Sequence, residues 1–212
     1  MSLPKDTFFN LPDEKRQRVI DAAIDEFAER SFHEARVTAI AEGAGIAMGS
    51  FYQYFEDKKD LFKYIIELIV KEKLAYINQD MMANMQNYGF FQLLREIYSR
   101  GLRFAKERPR LLAIGLSLTN NEALYHEVYG DHVQTSDDFF RKLLAKGIAD
   151  GDLDPTIDPI LVARLLTMLN YALADFVYED GKLDLDDMEI IDKMLNLIEN
   201  GIKNRAAALG GC

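Results

Sequence analysis

The chain has 212 residues, 49% apolar and 28% charged, which allows one or two domains with a sizeable core. Its formal net charge of −10 counts against bulk-electrostatic binding of nucleic acid, where phosphate neutralisation supplies most of the affinity. A single cysteine, Cys212, excludes a disulfide framework and points to a reducing, cytoplasmic compartment. The start, MSLPKDTFFN, lacks the apolar run of a signal peptide. The most apolar stretch, 159–178, is interrupted by Arg164, Asn170 and Asp175, which argues against a membrane span. Helix formers dominate and there are only 5 prolines, so the expected class is all-α.

A first helix is expected from Leu11-Pro12-Asp13, with proline in its first turn and Val19, Ile20, Ala23, Ile24 and Phe27 at helical spacing. After a break near Ser31-Phe32, a short helix over Val37–Ala44 turns Ile40 and Ala41 inward, and Gly45 ends it. A second short helix spans Met48–Phe55. Glu56-Asp57 then caps a long helix from Lys58 to the mid-80s. Further helices are expected over 90–107, 110–119, 122–149, 159–179 and 186–208. Two short helices joined by a tight glycine turn and braced by a longer one have the layout of a helix-turn-helix, at about 36–55. This gives a three-helix head over 1–57 and a larger helical body over 58–212.

The stretch MGSFYQYF, 48–55, combines phenylalanines with tyrosines. On a helix at about 100° per residue, Phe51 and Phe55 point one way, into a core. Gly49, Ser50 and Gln53, small or polar, lie opposite. Tyr52 and Tyr54 fall about 80° to either side of the phenylalanine pair. That arrangement suits a recognition helix in a major groove, with its slim side toward the bases and two tyrosines toward the sugar-phosphate walls. Lys58 adds a cation at the start of the following helix. The same spacing also suits plain core packing, and charge does not decide: residues 1–60 hold 8 Lys and Arg against 12 Asp and Glu.

RQRVIDAAIDEFAER (16–30) followed by VTAIAEGAGIAMGSFYQYFEDKKDLF (37–62) resembles the DNA-binding head of the TetR family of bacterial transcription regulators. The likeness runs through Ile40-Ala41, Ala44-Gly45-Ile46, Gly49-Ser50-Phe51-Tyr52, Tyr54-Phe55, Lys58 and Leu61. It implies that Thr38, Met48, Gly49 and Ser50 approach bases while Tyr52, Tyr54 and Lys58 grip phosphates. Two positions depart from the family pattern. Ser31 stands where glycine is usual, and Arg36, where threonine or serine is usual, loses a helix cap but brings a charge that could meet phosphate or a guanine edge.

Segment 159–179 is apolar on nearly all sides and needs cover on both. Leu165 and Leu169 on it, with Ile191, Met194, Leu195, Ile198 and Ile202 on the last helix, suit a four-helix dimer interface, as the resemblance also implies. Such a homodimer sets two recognition helices about 34–36 Å apart on a palindromic operator. The body between is then expected to enclose a pocket for a small apolar or amphipathic effector. Candidate lining residues are Met81, Met85, Phe104, Leu112, His126, Phe139, Phe140, Asn170 and Tyr171, the methionines suiting adaptable apolar ligands. The expected activity is that of a repressor released by its effector, with no cofactor or metal. An enzyme is disfavoured: His33, His126 and His132 share no metal-binding spacing, and no paired Glu-x-x-His motif occurs. The alternative is an all-helical adaptor whose head binds protein.

Overall fold

The apolar positions of 13–29 recur with helical period, and Asp13 and Glu14 favour the positive end of the helix dipole, so α2 forms over Asp13–Glu29. The structure, a computed structural model, describes residues 4–78, 81, 85–119, 122–179, 182–183 and 188–202. Pro12 stands at the N-cap of α2 and not inside its first turn. Ahead of it lies a single-turn helix, α1 (Asp6–Phe9), which the periodicity of so short a segment could not announce. After α2 the chain bends without glycine. The Ser31 carbonyl accepts the Glu34 and Ala35 N–H groups at 3.0 and 2.9 Å, and the Ser31 hydroxyl donates to Glu34 at 3.1 Å.

Helix α3 (Val37–Gly43) starts at Arg36, which gives no side-chain cap. Instead Glu26 on α2 accepts the Arg36 N–H at 2.8 Å, tying α3 to α2 through a carboxylate. At its other end Ile46 N–H reaches Ala41 O at 2.9 Å and Gly45 N–H reaches Glu42 O at 3.0 Å. This Schellman pair needs a left-handed residue, and Gly45 supplies it at φ 64°. Helix α4 (Met48–Tyr54) follows, with Phe55 already extended. Asp57 caps α5 (Lys58–Asn78), accepting the Asp60 N–H at 2.8 Å, while Asp60 accepts that of Glu56 at 3.0 Å. Residues 79, 80 and 82–84, where this helix is expected to run on to the mid-80s, lie outside the described residues, and Met85–Asn87 form a 3-10 turn.

Then come α6 (Phe90–Glu107), α7 (Pro109–Thr119) and α8 (Glu122–Ala149). Asp158 caps α9 (Pro159–Val177), its carboxylate accepting the Ile160 and Leu161 N–H groups at 2.9 and 3.1 Å. A two-residue hairpin, β1 (Tyr178–Glu179) against β2 (Lys182–Leu183), leads on to α10 (Met188–Ile202). Apart from this hairpin and an isolated bridge residue at Leu153, the regular elements among the described residues are helical.

The chain divides into two units, Met1–Leu74 with Arg108–Val128, and Ala75–Glu107 with Tyr129–Cys212. The first is built on rings: Phe27 and Phe32 lie 4.8 and 5.0 Å from Phe62, and Phe8 and Phe51 lie 4.9 and 5.3 Å from Phe55. The Arg110–Asp25 ion pair joins α7 to α2 within that unit, and Arg108, just ahead of α7, pairs with Glu72 on α5. The second unit packs Leu94 and Tyr98 of α6 with Leu144 of α8 and Leu166 of α9.

Here the structure corrects part of the expected interface. Ile191 (0% exposed) and Leu195 (5% exposed) lie in this protomer's own core, and Met194, Ile198 and Ile202 pack against it. The reason is that α6 occupies the apolar face of α10, with an Arg95–Asp192 ion pair beside the contact. Among the described residues of α9 and α10, the large apolar side chains left outward are Ile160, Leu161, Leu165 and Met168 on α9 and Leu197 on α10. Leu169 is half-buried.

Among the described residues, α8 and α9 meet in a polar contact at Asp137. Arg164 donates to the buried carboxylate of Asp137 at 2.6 Å. Burial pushes the Asp137 carboxyl up, but the Thr167 hydroxyl and Arg164 guanidinium favour its charged form, and the net shift is downward. A depressed folded-state pKa contributes stability that is present above the unfolded value, about 3.9, and lost as pH falls through the folded one. Thermal melts between about pH 4 and pH 2 should therefore fall more steeply for the wild type than for Asp137→Asn. At Gly45 nothing lies within 4 Å of an added Cβ, so Gly45→Ala meets only backbone strain. Its expected cost is about 1 kcal/mol, read as a lowered midpoint of denaturant unfolding.

Candidate nucleic-acid interface

Helix α4 has seven residues, too few to be stable alone in water, so it must be held by its surroundings. Phe51 and Phe55, both 0% exposed, anchor one side, as the helical phase predicts. The other side is open. Gly49 and Gln53 are exposed, Ser50 is half-buried, Met48 is 36% exposed and Tyr52 is 50% exposed. Arg36 and Thr38 at the start of α3 are exposed as well. The folded head thus presents a strip of small and polar side chains edged by one tyrosine.

Tyr54 is a correction. It does not stand on an exposed rim; it is 5% exposed, its ring 6.1 Å from Phe8. The cause is α1, which folds over that flank of α4 and takes the tyrosine into the aromatic core. The Lys15 ammonium lies 6.0 Å from the Tyr54 ring. Lys58, expected to grip a phosphate, is half-buried and has partners within the head. It donates to the His33 and Ala35 carbonyls at 3.1 and 2.7 Å and sits 4.9 Å over the Phe32 ring. Its ammonium ties the loop between α2 and α3, where two carbonyls and a ring face hold it.

Part of the acidity of the head lies elsewhere. Asp21, Asp25, Glu26 and Glu29 on α2 line, with Arg18, Ala39 and Gly43, a cleft of about 250 Å³ that contains none of the exposed α4 residues. Local placement, not net charge, sets what the α3–α4 surface offers.

The expected effector residues separate. Met81 and Phe140 are in the second unit's core, with Phe139 packed against it and 5.5 Å from the Phe140 ring. Phe104 is buried edge-on to Tyr76 at 5.7 Å. Leu112, in the first unit, and Asn170, in the second, are half-buried. The side chains of Met85, His126 and Tyr171 lie outside the described residues. Sequence reasoning missed Lys5 and Thr7, whose contacts to α4 depend on the fold of α1; Lys5 alone carried a signal, a cation ahead of an aromatic pair.

A helix-turn-helix with an open, small-residue second helix is the apparatus of a DNA-binding regulator. Residues 19–65 match the bacterial regulatory proteins of the tetR family. A solved TetR family transcriptional regulator from Chloroflexus aurantiacus J-10-FL is 30% identical, covers 95% of this chain and 99% of its own, and superposes with a TM-score of 0.64. The fatty acid metabolism regulator protein of Bacillus subtilis is 24% identical over 194 residues, 90% of this chain and 97% of that one. The structure of FadR from Bacillus subtilis in complex with stearoyl-CoA, 22% identical over 88% of this chain and 98% of that one, gives a TM-score of 0.68. The chain belongs to the TetR family. It is a DNA-binding transcriptional regulator, a class without enzymatic activity.

The two tyrosines should behave oppositely in stability measurements. Tyr54→Ala removes a buried ring and is expected to cost about 3 kcal/mol in chemical denaturation, whereas Tyr52→Ala should stay within about 0.5 kcal/mol of wild type.

Proposed function

We propose that the chain binds a palindromic operator as a homodimer and represses until a long-chain amphipathic effector, an acyl thioester, releases it. The head carries the DNA contacts: Met48, Gly49, Ser50 and Gln53 face base edges, Tyr52 reaches a phosphate, and Thr38 and Arg36 approach from α3. The observation that carries this reading is the one-sidedness of α4, sealed by phenylalanines behind and open in front. Support for the effector class is the near-full-length similarity to a fatty acid metabolism regulator and the apolar interior of the second unit. Helix α5 starts in the first unit and ends in the second, a covalent route for coupling of about 1–3 kcal/mol.

The dimer contact in this reading is the outward stripe of α9, with Arg164 set among Leu161, Leu165 and Met168. An apolar patch of that kind marks an association surface. Sedimentation should find a dimer of the 24.2 kDa chain, and Leu165→Glu with Met168→Glu should yield monomers.

A random duplex pool selected on the purified protein is expected to return inverted repeats with half-site centres about one turn apart. Affinity for the winner should fall steeply with salt, as counterion release requires. A salt-independent interaction, or no enrichment, would leave the protein-adaptor reading standing instead. Stearoyl-CoA added to the complex should free the duplex; retention despite measured binding of the thioester would remove the effector assignment.

A further inference from the structure

The last turn of any helix leaves four carbonyls without intrahelical partners, and a seven-residue helix is mostly ends. In α4 those four are all answered. Phe51 O accepts the Phe55 N–H at 2.9 Å. Tyr52 O accepts the Lys5 ammonium at 3.0 Å, Gln53 O accepts the Thr7 hydroxyl, and Tyr54 O accepts the Lys5 N–H at 3.0 Å. Three of the four partners therefore come from two residues more than forty positions away in sequence. The arm that brings them is itself moored. Phe8 is fully buried between Tyr54, Phe55 and Tyr64, and Arg16 donates to Phe9 O at 2.9 Å.

We propose that residues 4–10 form a clamp on the C-terminal end of α4, and that Lys5 and Thr7 are positioning residues for operator recognition. They act through α4 without touching DNA. Lys5 places its positive charge at the negative end of the α4 dipole and fixes the carbonyl of Tyr52, the one tyrosine left at the open edge. At the other end of α4 no side chain caps the helix. Its axis is thus set by the phenylalanine anchors behind and the clamp below. Loosening the clamp lets α4 fray from Tyr54 backward, which spoils the spacing of Gly49, Gln53 and Tyr52 more than it disturbs the head's core.

The inference rests on the DNA-binding reading, and the two fail separately. Full-length wild type, Lys5→Met, Thr7→Val and Lys5→Arg would be titrated with the duplex recovered by selection on wild type and with its scrambled version, across a salt series. Lys5→Met and Thr7→Val should each weaken the selected duplex about tenfold, leave the scrambled one nearly unchanged and keep the wild-type salt slope. Lys5→Arg, which keeps the charge and the donor, should restore most of the loss. Hydrogen exchange of amides 51–55 without DNA should quicken in Thr7→Val, a near-isosteric change that spares the core. If affinity is unchanged, the clamp has no part in recognition. If Lys5→Met lowers the salt slope by about one and weakens both duplexes equally, Lys5 is a phosphate ligand and the proposal is overturned. Absence of any selected duplex for wild type would instead remove the DNA-binding reading itself.

Discussion

A recognition helix of seven residues cannot hold itself together, because each turn of so short a rod sacrifices more chain entropy than its own hydrogen bonds return. Everything else in the head follows from supplying that deficit from outside. Phe51 and Phe55 are driven into a cluster of rings with Phe8, and this burial is the largest single contribution available to them. The Gly45 turn sets the angle at which α4 leaves α3, and Asp57 starts α5 as soon as Phe55 has been placed. Because one side of α4 is wholly committed to packing, its other side is free to carry small and polar residues that add nothing to stability.

An acidic regulator of DNA is a contradiction only when charge is counted over the whole chain. In the head, four carboxylates of α2 line a cleft, Glu26 is spent on the first amide of α3, and Asp57 and Asp60 are turned onto helix-terminal N–H groups. These groups do structural work at short range, where geometry outweighs a summed charge. Lys58 shows the same economy with the opposite sign: it closes a loop through two carbonyls.

The helices and their order could be read from the chain because apolar spacing, Gly45 and the prolines each carry a local signal. The phenylalanine side of α4 was legible for the same reason. Tyr54 was misplaced because its surroundings come from elsewhere, from α1, and the partners that Lys58 finds in the loop after α2 were invisible for the same reason. A helical wheel knows only its own helix. Two of the expected interface residues on α10 failed similarly. Ile191 and Leu195 have the right spacing for an interface, but spacing does not say whether the partner is α6 of the same chain or a second molecule.

The outward leucines and methionine of α9 also govern the life of a newly made chain. While alone, it keeps a greasy helix flank in water, and any partner able to cover that flank raises its resistance to melting. In the proposed dimer a second copy is that partner, so durability of the regulator would grow with its own abundance. Turnover, and not only DNA binding, would then be a function of how much of the protein the cell contains.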